Sequence, residues 1–115
     1  MSKKSLSEKS LDFAAKAVKF SVKLRRLTGE DIITDGLTRS AAGAGAIVNS
    51  ANRCPGKSKE YASEMRLALK KIAESGYWLK LLRKAEYVSK KDETLAELLE
   101  LCEDLESMLA EAVKG

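Results

Sequence analysis

Apolar residues recur along the chain at alternating steps of four and three, the period of a helix with one face turned inward. The first stretch carries Leu6, Ser10, Phe13, Ala17, Phe20, Leu24 and Leu27, and it predicts a helix of about six turns. Thr28-Gly29 follows, and glycine suits the left-handed position just past a helix end. EDIITDG then reads as a connection, with Thr34 or Asp35 as the expected cap of the next helix. The second stripe is Leu37, Ala41, Ala44, Val48 and Ala51. Gly43 and Gly45 each cost about 1 kcal/mol relative to Ala inside a helix. Close approach of a neighbouring helix along the Ala41-Ala44-Val48 seam would offset that cost.

A third helix is expected from about residue 57 to 85, with Tyr61, Met65, Ala68, Ile72, Ser75, Leu79 and Leu82 as its stripe. The fourth follows Ser89-Lys90-Lys91-Asp92, where Ser89 and Asp92 form a variant capping box. Its stripe is Leu95, Leu98, Cys102, Leu105, Leu109 and Ala112. No segment alternates as a strand does. The expected fold is all-α: one antiparallel up-down four-helix bundle spanning residues 1–115.

Composition agrees with this reading. Hydrophobic residues make up 44% and charged residues 33%, with a single proline, which is globular and helix-favouring. The 115 residues suit one domain with a modest core, a size at which self-association helps. The polar start MSKKSLSEKS does not resemble a secretory leader. The longest uncharged run, Ser40 to Asn52, has 13 residues, against roughly 20 for a membrane span. A cytoplasmic protein with Cys54 and Cys102 as free thiols is expected, with no membrane partner.

The net charge of +4 conceals a division. Residues 92–115 hold eight acidic residues and one basic, a net −7, and the remainder carries +11. Such a division suits charge matching within or between subunits as well as an anionic partner.

Residues 51–58, ANRCPGKS, approach the phosphate-loop pattern, in which Lys57 would reach phosphates and Ser58 magnesium. The context rejects it. A helical stripe precedes the loop where a buried strand is required. Pro55-Gly56 is expected to turn the chain and Ser58 to cap the third helix. The GAG of residues 43–45 lacks the third glycine and the strand of a dinucleotide site. There is no histidine, which removes the commonest general base and metal ligand. Cys102 lies on an apolar stripe, and no partner for Cys54 is evident. No catalytic, cofactor or metal residues are expected, and the chain does not read as an enzyme.

Several motifs resemble the four-helix bundle proteins encoded within intervening sequences of bacterial 23S ribosomal RNA genes. They are Leu37-Thr38-Arg39-Ser40-Ala41, Lys59-Glu60-Tyr61, Ala68-Leu69, Glu74, Tyr77-Trp78-Leu79 and Tyr87-Val88. The chain departs from that family at Ile47 and Ser50, where Asn and Glu are usual, and at Gly76, where Glu is common. The resemblance implies a homo-oligomeric ring, often a pentamer, with RNA association inferred from gene context. A bundle of similar architecture is the accessory protein of diversity-generating retroelements, which partners a reverse transcriptase.

Two functional readings follow. In the first, basic bundle ends bind RNA phosphates. In an up-down bundle Arg53, Lys57 and Lys59 share one end with Lys3, Lys4 and Lys9. Lys80, Arg83 and Lys84 share the other with Lys23, Arg25, Arg26, Lys90 and Lys91. Arg39, within the matched motif, joins the RNA-contact candidates. In the second reading the bundle is a scaffold that binds a protein partner. GYWLKLL, residues 76–82, is apolar over more of the helix circumference than one core needs, which makes Tyr77, Trp78 and Leu81 the interface candidates.

Overall fold

A computed structural model describes residues 4–56 and 58–114. Four helices fill it: α1 (Leu6–Thr28), α2 (Ile32–Ala51), α3 (Lys59–Lys84) and α4 (Glu93–Lys114). Each packs on its chain neighbours and α4 closes on α1, with α2 against α3 the most extensive seam and α1 against α4 the least. The principal dimensions are 44 × 31 × 19 Å, and the 26 residues of α3 account for about 39 Å of the long axis.

The stripes of all four helices meet in one core. Phe13, Leu37, Met65, Ile72, Leu79, Leu82, Leu95, Leu98, Leu105 and Leu109 are fully enclosed. Leu27 departs from the expected stripe and is 73% exposed. Leu24 is the last α1 residue inside, and Val88 from the α3–α4 connection helps close that end of the core. One polar pair crosses between α2 and α3: the buried hydroxyls of Ser40 and Ser75 lie 2.8 Å apart. Each also donates or shares a proton with its own helix backbone, at Leu37 O and Lys71 O, so neither is left unsatisfied. Cys102 is buried against the Ile72 carbonyl. Burial pushes its thiol up to about 12, so this cysteine stays protonated and inert.

The helix ends explain where the expected boundaries moved. Ser5 and Glu8 form a reciprocal capping box at α1. Ser58 caps α3 by accepting from the Tyr61 N–H at 3.0 Å, as expected. Asp92 alone caps α4, accepting from Leu95 N at 2.8 Å, whereas Ser89 accepts from Lys91 N in the turn. The α2 cap was expected at Thr34 or Asp35, but the helix begins at Ile32. The Glu30 carboxylate, folded back over the helix start, accepts from the N–H groups of Ile32, Ile33 and Thr34 at 2.8–2.9 Å. Glutamate is longer than the usual capping residues, and its reach gains helix α2 an extra turn.

Both α1 and α3 end in a left-handed residue. Gly29 does so at φ 79 and Glu86 at φ 65. Around Glu86 the Tyr87 N–H donates to Leu82 O and the Glu86 N–H to Arg83 O, both at 3.0 Å, the two bonds of a Schellman ending. A side chain in that conformation costs about 1–2 kcal/mol.

The tightest contact at a glycine falls where the stripe did not single one out, and it is with a side chain. A Cβ on Gly36 would lie 2.5 Å from Cε2 of Trp78. Gly43 and Gly45 are less constrained: added Cβ atoms would meet Lys71 Cδ at 3.1 Å and Ser10 O at 3.5 Å. The first contact is with a flexible side chain and the second is ordinary packing distance. Gly36 therefore seats the indole, Gly45 faces the backbone of α1 at ordinary packing distance, and Gly43 meets only the Lys71 side chain.

Two outcomes follow from this packing. Gly36→Ala gains about 1 kcal/mol in helix propensity but overpacks by about 1–3 kcal/mol. A net loss in melting temperature is expected, with a red shift in emission from Trp78. Gly76→Ala meets nothing within 4 Å and should gain stability, by about 1 kcal/mol.

A third outcome concerns pH. Burial works to raise the Glu30 carboxyl, but the N–H donors of Ile33, Thr34 and Ile32 outweigh it and hold it below 4.5. Its contribution is thus complete above the unfolded value and is lost as pH falls through the lower folded one. The melting-temperature gap between wild type and Glu30→Gln should be widest near neutrality and narrow only as the pH falls below the ordinary carboxylate range.

Candidate functional site

At the exit of α3 the helix period sets Tyr77, Lys80, Leu81 and Lys84 on one outward face, at steps of three and four. The Schellman ending then turns the chain back, bringing Glu86 and Lys90 alongside that face. Together with Arg83 these residues surround a depression of about 870 Å³, within the roughly 300–1,000 Å³ range of ligand sites. Four cations face one carboxylate there. None of the ion pairs formed among the described residues engages Lys80, Arg83, Lys84 or Lys90. Arg83 and Lys84 also occupy the last turn of α3, where positive charge offsets the partial negative charge of the terminal carbonyls.

The aromatic pair beside the depression divides between inside and outside. Trp78 turns towards α2 over Gly36, and its Nε1–H donates to Glu74 Oε2 at 3.0 Å. Tyr77 points away and is 59% exposed, its ring 5.4 Å from that of Trp78 in an edge-on arrangement. The edge contact steadies Tyr77 while most of the residue stays exposed. Leu81 is half-buried at the depression wall.

The remaining sequence candidates lie elsewhere. Arg39 is exposed on α2 and donates through Nε to Asp35 at 2.8 Å. Arg53 follows α2 and Lys59 opens α3, so both sit at the far end of the bundle, about 37 Å along α3 from Lys84. Lys57 lies outside the described residues, as does Lys3. Residues 32–51, ahead of the loop at 51–58, are helical. Cys54 is half-buried and unbonded to any other cysteine.

Glu86 is the member of the lining that sequence reasoning did not place at this end of the bundle. Lys90 was expected at this end with Lys80, Arg83 and Lys84, and the turn sets it on the same depression. For Glu86 the available signal was an acidic residue at a helix exit where glycine is usual. A second depression of about 420 Å³ lies between the end of α1 and the α3–α4 connection, floored by Phe20, Leu24 and Val88 and edged by Lys19 and Lys23.

The acidic α4 is partly neutralised by α1. Lys9 Nζ lies 3.2 Å from Asp104 Oδ2, and Lys16 pairs with Glu97. These contacts place the charge matching within the subunit, on the face away from α2. Among the described residues no helix is long and apolar enough to cross a membrane, and no group of His, Cys, Asp or Glu can hold a metal ion.

Comparison with known proteins meets this architecture along nearly all of the chain. The profile of the family described as 23S rRNA-intervening sequence protein matches residues 3–111. Among solved structures, the chain is similar to a protein of unknown function from the S23 ribosomal protein family of Bacteroides thetaiotaomicron. That similarity has 25% identity and a TM-score of 0.87, covering 96% of this chain and 100% of the other. No curated protein matches the chain. The match takes in all four helices and every motif from Leu37 to Val88, and the chain belongs to the 23S rRNA-intervening sequence protein family.

Proposed function

We propose that the protein is a non-enzymatic, RNA-associated bundle that works as a homo-oligomer, with the exit of α3 as its phosphate-binding face. The observation that carries this reading is the gathering of Lys80, Arg83, Lys84 and Lys90 around one depression with no ion-pair partner among the described residues. Unpaired cations on a rigid helix end attract phosphates through Coulomb forces and counterion release, without base recognition. At the far end, which also carries Arg53 and Lys59, Lys4 and Lys9 already hold Asp12 and Asp104. Arg39 already holds Asp35.

The test is retention of single-stranded RNA against salt. Lys80→Glu with Arg83→Glu and Lys84→Glu should abolish retention at about 50 mM salt, while Arg53→Glu with Lys59→Glu should weaken it less. Wild type that retains no RNA at that salt contradicts the reading. The protein-binding scaffold, such as a reverse-transcriptase accessory bundle, would then replace it.

Self-association rests on a different surface. Leu27 and Ile32 flank the three-residue turn between α1 and α2 and are 73% and 78% exposed. Two large apolar side chains held in water at one corner are the kind of surface a second copy covers. Trp78, by contrast, is engaged within its own subunit. Leu27→Glu with Ile32→Glu should lower the mass seen by light scattering while leaving the circular dichroism helical. A monomeric wild type at tens of micromolar would remove the oligomer.

A further inference from the structure

Glu86 combines two features that pure electrostatics does not explain. It takes the left-handed position that Gly29 fills at the end of α1, although glycine would fill it without strain. It also places a carboxylate in the wall of a cationic depression, where it lowers the attraction for phosphate. Its carboxylate forms no ion pair and no side-chain hydrogen bond among the described residues, so it does not serve to anchor its lysine neighbours. Strained backbone that persists against a simple glycine substitute is concentrated at functional sites.

We propose that the depression holds one unstacked guanine of a single-stranded RNA, an inference that rests on the RNA reading above. Tyr77 supplies the stacking face. The residue is 59% exposed, and its ring is steadied edge-on by Trp78, an arrangement that suits stacking of a single-strand base. Glu86 accepts from the base. Guanine presents two adjacent N–H donors, at N1 and N2, which match the two oxygens of a carboxylate. Adenine and cytosine present one amino group beside an acceptor nitrogen, and uracil one N–H between two carbonyl oxygens, which a carboxylate repels. Lys80, Lys84 and Lys90 are left for the flanking phosphates. The left-handed turn is what brings the Glu86 side chain to the same rim as Tyr77 and Lys84.

The experiment compares a short labelled uridine-tract RNA with the same tract carrying one guanosine, by fluorescence anisotropy at constant salt. Wild type should bind the guanosine-bearing RNA about tenfold more tightly. Glu86→Gln removes a negative charge, so it should bind the all-uridine tract at least as well as wild type while losing most of the guanosine preference. Glu86→Gly should raise the melting temperature and lose the preference too, which separates recognition from a structural role. Binding of both RNAs without preference in wild type, with Glu86→Gln tightening both equally, overturns this inference and leaves the RNA reading standing. Failure of wild type to bind either RNA overturns both.

Discussion

The burial of one apolar stripe from each helix decides where every other side chain of this protein can go. With α2 built from alanine and glycine, α3 approaches it closely, and the Trp78 indole settles over Gly36. One residue of helix rotates by about 100°, so seating Trp78 inward obliges Tyr77 to face water. Lys80, Leu81 and Lys84 follow it on that face by the same period. The cationic depression is thus a consequence of core packing as much as of local charge.

Charge is distributed around this frame by the same geometry. The α1 lysines Lys9 and Lys16 lie across the least extensive seam and pair with Asp104 and Glu97 of α4. Exposed pairs of this kind contribute little stability individually. Their larger effect is to lower the negative field of α4. The α3 exit, beyond that seam, keeps its positive charge. Glu30, a charged side chain folded into the core boundary, is satisfied by three backbone donors and adds stability without claiming a lysine or arginine.

The four helices and nearly all of the core were legible from spacing, because a stripe such as Leu95, Leu98, Cys102, Leu105 and Leu109 has one way to be buried. Local exceptions escaped for physical reasons. Leu27 continues its stripe in sequence but runs past the end of the core. Glu30 does not have the side-chain length of a usual cap, and Gly36 is defined only by the indole that reaches it from α3. Within the candidate site, Lys80, Arg83 and Lys84 could be named from a basic helix end. Lys90 could be placed at that end, but Glu86 could not, since a left-handed turn sets its position and the usual signal, glycine, is absent.

The proposed RNA contact lies at the cations of the α3 exit and not at those of the other end of the bundle. Lysine acylation footprinting read by mass spectrometry, with and without single-stranded RNA, tests it most directly. The account predicts strong protection of Lys80, Lys84 and Lys90, with Lys4 and Lys59 reacting as they do in the free protein. Protection centred on Lys4 and Lys59, or no protection anywhere under binding salt, would contradict it.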